Sequence, residues 1–313
     1  MELKESLFQH LVKNGYAKNN LNNKVWNLAN RSFLYMTSNL AKASLRVRDH
    51  PRYKKTIIEI EDSLIKKHAK KFLGGLEKEP FNLIVMGCGD GKKVEFFLKS
   101  IGKNFKMRFC PVNPHRYLND LISKKMNKKR FSNIIEYYPH LADLESLGEV
   151  SSMVKNGRYQ KNLILLLGSI IASYEIHDYL FNLSQAMFNG DRIIIGNGIR
   201  TGERLQNIKS YRHPLFKKWL IHLIREVGFK PREVEYDTRF GNSRVECFFK
   251  VKKDKTLLYK GNKIKIKKGD EIIVAILYKY YAKELQDFCK MYFKEVKLVK
   301  DKANEYALIL CQK

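Results

Sequence analysis

Val85-Met86-Gly87-Cys88-Gly89-Asp90-Gly91-Lys92-Lys93 is the stretch on which the reading of this chain turns. It closes an apolar run over residues 82–86, a strand candidate, and runs into residues 94–98, which open a helix. Glycines between a strand and a helix permit a tight turn and let a ligand approach the backbone. The helix start favours electronegative groups. The spacing is Gly-x-Gly-x-Gly, which is neither the Gly-x-Gly-x-x-Gly dinucleotide fingerprint nor a Gly-Lys-Ser/Thr phosphate loop. In an open α/β sheet such a loop marks a ligand site at the carboxyl end of a strand, beside the topological switch point. The alternative is a structural turn with no ligand.

Outward from the loop, residues 107–112 read as a second strand and 118–126 as a helix. Residues 133–137, 162–167 and 192–195 read as the third, fourth and fifth strands, with an amphipathic helix at about 177–188. Continuous apolar strands alternating with helices predict a parallel sheet covered on both faces. Residues 1–75 read as helical, broken at Pro51 and ended by Gly74-Gly75. After Gly196 the pattern is interrupted by a helical part at 215–227 and alternating strands such as 244–249. Residues 296–299 and 306–310, joined by a polar turn, predict an antiparallel hairpin that finishes the sheet. The predicted organisation is an α/β core over 57–197 and 278–313, interrupted by an α+β cap over 1–56 and 198–277.

The 313 residues carry 60 Lys+Arg against 32 Asp+Glu, a formal net charge of +28. Hydrophobic residues at 44% and aromatics at 12% suffice for a core, which excludes wholesale disorder. No apolar run approaches the roughly 20 residues of a membrane span. Met1-Glu2-Leu3-Lys4-Glu5 lacks the basic and then apolar build of a signal peptide. A cytoplasmic protein with no membrane partner is expected. Cys88, Cys110, Cys247, Cys289 and Cys311 are scattered, with no Cys-x-x-Cys pair, which argues against a disulfide framework or a structural zinc site. The eight histidines form no His-x-x-x-His pair, and no metal is expected. The positive excess would attract RNA or another polyanion. Its local clusters at Lys124-Lys125, Lys128-Lys129-Arg130 and 263–268 lack the interleaved aromatics of an RNA-recognition motif. The alternative is a surface simply solvated by lysine.

The glycine loop resembles the first motif of S-adenosylmethionine-dependent methyltransferases. It is most similar to the histidine-specific Nα-methyltransferases of ergothioneine biosynthesis, whose loop also runs Gly-x-Gly-Asp-Gly and then a basic residue. Further stretches resemble that family in the same order: Pro51-Arg52-Tyr53-Lys54-Lys55-Thr56, Phe109-Cys110-Pro111-Val112-Asn113, Leu167-Gly168-Ser169-Ile170-Ile171-Ala172-Ser173 and Val245-Glu246-Cys247. The resemblance covers roughly residues 50–280. It implies a Rossmann-like class I methyltransferase sheet and S-adenosyl-L-methionine as cofactor. The residues it implies for cofactor binding are Gly87, Cys88, Gly89, Gly91, Lys92, Asn113, Asp143 and Gly168. Asn113 stands where the family has an Asp that accepts both ribose hydroxyls, and Asp143 matches the acid that meets the adenine amino group. Met86 replaces an acidic residue ahead of the first glycine.

On the substrate side the resemblance implies Tyr53, Ser173, Glu246 and Phe248. Ser173 replaces the Asn that holds an α-amino group, and Phe248 the Ser that assists the imidazole-binding Glu. Glu246, Tyr53 and Tyr211 are the catalytic candidates. Each has a plainer alternative: Asp143 a turn acid, Glu246 a surface acid, the tyrosines packing residues. The departures at Ser173 and Phe248 argue against histidine itself as acceptor. The implied activity is N-methylation of an amine or amino-acid-like small molecule. The alternatives are a methyltransferase acting on RNA or another polyanion, and a degenerate fold serving as a binding protein. Oligomeric state is not legible.

Overall fold

The computed structural model describes residues 2–203, 205 and 208–313. Its strands, in chain order, are β1 (Tyr16–Lys18), β2 (Lys24–Asn27), β3 (Phe81–Met86), β4 (Met107–Asn113), β5 (Ile134–Tyr137), β6 (His140–Leu141), β7 (Asn162–Leu166), β8 (Arg192–Gly198), β9 (Val234–Gly241), β10 (Arg244–Val251), β11 (Lys255–Tyr259), β12 (Asn262–Ile266), β13 (Glu271–Tyr278), β14 (Glu295–Lys300) and β15 (Tyr306–Gln312). Its helices are α1 (Leu3–Asn14), α2 (Ser38–Asp49), α3 (Pro51–Tyr53), α4 (Glu59–Phe72), α5 (Lys92–Ile101), α6 (Arg116–Lys129), α7 (Leu147–Met153), α8 (Ile176–Gln185), α9 (Ile208–Tyr211), α10 (Pro214–Glu226) and α11 (Ala282–Lys290). The chain divides into two compact units: Met1–His50 with Arg204–Tyr278, and Pro51–Glu203 with Lys279–Lys313.

The second unit is built on one sheet in the order β14-β15-β8-β7-β3-β4-β5, with β6 beside β4. The pairs from β8 through β5 are parallel, while β15 runs antiparallel to β8 and closes a hairpin with β14. The chain runs outward from β3 to β4 and β5 on one side, then returns through β7 and β8 on the other. The switch point therefore lies beyond the carboxyl ends of β3 and β7. Every residue of β3, β4 and β7 is buried, as a sheet covered on both faces requires. On one face Leu83, Val85, Phe109, Leu163 and Leu165 pack with Leu64, Ile65 and Phe72 of α4 and with Val94, Phe97, Leu98 and Ile101 of α5. Those four α5 positions fall on one stripe of a 3.6-residue period. The helix is bounded by Gly91 and Gly102, both with positive φ. On the other face lie Ile164, Leu166, Ile193 and Ile195, all buried. The α/β sheet read from the sequence is the one observed, with β8 running on to Gly198 rather than ending at residue 195.

The first unit carries a second sheet in the order β1-β2-β13-β10-β9. Its strands are antiparallel except for β13 beside β2. A separate hairpin, β11–β12, completes the β structure. Helix α10 begins with Pro214 in its first turn, and His213 Nδ1 accepts from the Leu215 N–H at 3.3 Å. Here the sequence reading needs correction, because residues 1–75 are not wholly helical. The segments Tyr16–Lys18 and Lys24–Asn27 are strands, and β2 gains its partner about 245 residues away in β13. That pairing leaves no local trace.

Among the described residues no helix is long and apolar enough to cross a membrane. No group of three or more His, Cys, Asp or Glu side chains suited to a metal ion occurs among them either.

Candidate functional site

Three glycines of the loop, Gly87, Gly89 and Gly91, have φ of 63°, 57° and 75°. Side chains adopt this left-handed region only at a cost. A Cβ on Gly87 would stand 2.9 Å from Ile170 Cδ1, and one on Gly91 2.9 Å from Ile122 Cγ1. The loop lies this low on the sheet end only because it is glycine. Beneath it Asn113 is fully buried at the carboxyl end of β4. Its Oδ1 accepts from the Gly89 N–H at 3.2 Å, and its Nδ2 donates to Cys88 Sγ at 2.9 Å and to Asn119 Oδ1 at 2.8 Å. Sequence reading gave Asn113 a pair of ribose hydroxyls. In the structure its carboxamide braces the loop from below.

Lys92, a cofactor candidate from the sequence, lies at the surface. Its side chain is 55% exposed and folds back on Asp90, with Nζ 3.4 Å from Oδ2. Lys93 is the lysine that turns inward, and it pairs with Glu61 of α4, a carboxylate with no exposed surface. The same carboxylate accepts from the Gly168 N–H at 2.7 Å and from the Tyr306 hydroxyl at 2.5 Å. Burial, reinforced by the neighbouring carboxylate, pushes the Tyr306 hydroxyl well above the ordinary tyrosine range, so it stays a donor. Ser169, at φ 57°, accepts from the Gly198 N–H through Oγ at 2.9 Å. Lys279, nearly fully buried, completes this polar layer: a Cβ on Gly198 would lie 2.9 Å from its Nζ. Sequence reading missed Glu61, Lys279 and Tyr306. An acid amid the lysines of a helix reads as a solvated face. The signal was in the glycines Gly168, Gly196 and Gly198, which give these side chains room.

Asp143 is half-buried after β6. Its Oδ1 accepts from the Glu145 N–H at 3.3 Å, and its carbonyl from the Ser146 N–H at 3.1 Å, in the turn that leads to α7. Tyr53 is half-buried against the α4–α5 core, where α3 gives way to a π-helical turn over Lys54–Ile58. Such turns recur at functional sites. Ser173 ends a single 3-10 turn, Ile171–Ser173, after the Gly168 loop. Gly87, Cys88, Gly89, Gly91, Asn113, Asp143, Gly168, Ser173 and Tyr53 all belong to the second unit.

Tyr211, Glu246 and Phe248 belong to the first unit. Glu246 is 6% exposed, and both of its oxygens are taken. Arg239 Nε donates to Oε2 at 2.6 Å and Arg244 Nη2 lies 2.6 Å from Oε1, while Arg239 also reaches Glu271. The two guanidiniums tie the carboxylate to its own hairpin through charge-assisted bonds. Glu246, a catalytic candidate from the sequence, has this structural role in the sheet. Phe248 is buried beside a β-bulge, with the Arg239 guanidinium 4.7 Å from its ring centroid. Tyr211 is buried, stacks obliquely on Phe216, and accepts at its carbonyl from the Tyr236 hydroxyl at 2.8 Å. These contacts give Tyr211, a catalytic candidate from the sequence, a packing role in the first unit.

Seven strands in this order, one turned antiparallel beside β8, with a glycine loop after β3, are the topology of the class I methyltransferase fold. The family model described as histidine-specific methyltransferase, SAM-dependent, matches residues 46–313, and the chain belongs to that family. No curated protein matches the sequence significantly. Among solved structures the chain is similar to the CurJ carbon methyltransferase, with 12% identity and a TM-score of 0.48 over 90% of this chain. It spans 60% of that protein's length. It is also similar to a 1,6-didemethyltoxoflavin-N1-methyltransferase from Burkholderia thailandensis, with 10% identity and a TM-score of 0.42 over 87% of each chain. A third is a putative methyltransferase from Thermobifida fusca, with 11% identity and a TM-score of 0.46 over 88% of this chain and 89% of that one.

The cofactor of this family is S-adenosylmethionine. The residues present suit it. The loop at the switch point is glycine at each left-handed position, its floor is a neutral carboxamide, and the half-buried carboxylate of Asp143 follows the neighbouring β6.

Proposed function

We propose that this S-adenosylmethionine-dependent methyltransferase methylates the nitrogen of a small amine or amino-acid-like molecule. The family match carries the reading of the acceptor, because it extends over residues 46–313 and so takes in the substrate-side segment with the cofactor loop. The glycine loop with Asn113 beneath it supports the cofactor half.

The cofactor supplies a methyl group already activated on a sulfonium, so no nucleophilic side chain is called for. The protein's share is to align the acceptor nitrogen, exclude water and keep that nitrogen unprotonated. In this reading the backbone of Gly87, Cys88, Gly89 and Gly91 backs the cofactor, Gly168 flanks it, and Asp143 meets its adenine amino group. Tyr53 and Ser173, polar and only partly buried, are the second-unit groups that this reading assigns to the acceptor. Histidine as acceptor would want an acid for its imidazole, and Glu246 is already committed to Arg239 and Arg244.

Calorimetric titration with S-adenosylhomocysteine tests the cofactor half. Saturable binding is expected, and Gly89→Arg should abolish it while leaving a cooperative melt. No binding at millimolar ligand overturns it. A screen with methyl-labelled cofactor against amines, amino acids and tRNA tests the acceptor. Label in tRNA and in no small amine would overturn that half.

A further inference from the structure

Glu61 is a buried carboxylate that the methyl-transfer chemistry leaves unused, yet it touches the framework of the site at three places. It rises from α4 and accepts from three donors on three other segments. They are Lys93 in the first turn of α5, the Gly168 N–H after β7, and the Tyr306 hydroxyl at the start of β15. The backbone is shaped around this arrangement. A Cβ on Gly196 would overlap Glu61 Oε1 and stand 3.0 Å from the Tyr306 hydroxyl, and one on Gly168 would stand 2.7 Å from Lys93 Nζ.

Burying two charges is costly, and a buried ion pair seldom stabilises a fold more than well-packed apolar side chains of the same volume. Stability alone therefore does not account for the arrangement. What it supplies is direction. A carboxylate with charge-assisted bonds to three segments fixes their spacing far more narrowly than apolar contact does. Two of those segments flank the switch point. Lys93 follows Gly91 by two residues, and Gly168 is the second residue beyond β7.

We propose that Glu61 is a positioning residue for the cofactor: through Lys93 and Gly168 it sets the loops after β3 and β7 in the geometry that binds S-adenosylmethionine. The inference rests on the cofactor reading above.

Glu61→Gln keeps the shape but presents an amide NH₂ or a neutral oxygen to the Lys93 ammonium. In this variant the affinity for S-adenosylhomocysteine should fall at least about tenfold, a change of about 1.4 kcal/mol. A double variant, Glu61→Leu with Lys93→Leu, removes both charges and isolates the geometric role. It should melt below the wild-type temperature, because the Gly168 N–H and the Tyr306 hydroxyl lose their acceptor. Where it folds cooperatively it should still bind at least about tenfold more weakly, since each tenfold is about 1.4 kcal/mol. Binding within about twofold of wild type by either folded variant overturns the proposal.

Amide exchange on the cofactor-free protein gives a readout independent of binding. The amides of Gly168 and residues 87–91 should exchange faster in Glu61→Gln, with those of α6 unchanged. Equal exchange at Gly168 and the loop overturns the proposal. If the wild type binds no S-adenosylhomocysteine, the cofactor reading fails, and the exchange result still shows whether Glu61 couples the two loops.

Discussion

Asn113 sets the chemistry of the loop by being an amide. A carboxylate there accepts from the Gly89 N–H as well as an amide does, but it has nothing to donate to Cys88 Sγ or to Asn119 Oδ1. It would also face the Asn119 oxygen, oxygen to oxygen, from a position that is itself fully buried. Asn113→Asp should therefore lower stability by about 1–3 kcal/mol, the cost of leaving buried polar groups unsatisfied. Thermal or urea unfolding at neutral pH measures it, and a variant as stable as wild type would show that the brace is not made. Family resemblance points the other way, toward an acid that gains ribose contacts, so the two arguments separate cleanly in one variant.

The same residue shows how far the site could be read from the sequence. The glycines were legible because backbone geometry restricts their positions to one residue type. The role of Asn113 was not, because its partners lie on other segments. Glu61 and Lys93 were hidden for the same reason, each looking like one more charge on a lysine-rich helix.

At the level of elements, strands with runs of buried apolar residues were legible throughout the second unit, since a two-faced sheet demands just those runs. β1 and β2 were not: three and four residues long, they are strands only because β13 lies beside β2. The β9–β10 hairpin is a middle case, because its turn carries a local signal. The turn residues, Asn242 and Ser243, have φ of 50° and 57°, the pattern of a two-residue turn with both positions left-handed. That turn pairs Gly241 with Arg244 and hence Arg239 with Glu246. Once Asn-Ser is taken as a two-residue turn, counting outward along the two strands sets Glu246 opposite an arginine, which gives it a structural partner within the hairpin. The turn also offers a test. Ser243 occupies a position where glycine pays no steric cost, so Ser243→Gly should stabilise the hairpin by about 0.5–1 kcal/mol in equilibrium unfolding. A loss of stability of that size would contradict the turn geometry.

For the molecule as a whole, the charge of +28 is the feature that neither the loop nor the sheet explains. One of its clusters, residues 263–268, falls largely on β12, where Lys263 and Lys265 are exposed while Ile264 and Ile266 are buried. The cluster is the outer face of an alternating strand, and lysine on such a strand keeps it soluble and guards its edge. Charge of this kind costs stability through self-repulsion, and salt relieves that cost. Ion pairs such as Arg239–Glu246 and Lys99–Glu95 work in the opposite sense, losing strength as salt screens them. With 60 basic side chains against 32 acidic ones, at least 28 positive charges have no acidic counterpart, so relief of repulsion should prevail. The melting temperature should rise as ionic strength increases from about 0.02 to about 0.3 M, over which the Debye length shortens from roughly 20 to roughly 6 Å. tRNA that binds at the lower salt should be released at the higher without having received a methyl group, as counterion-driven contact requires. A melting temperature that falls with salt would place the stabilising charge in the ion pairs. Methylated tRNA would turn the excess from a solvating surface into part of the substrate site.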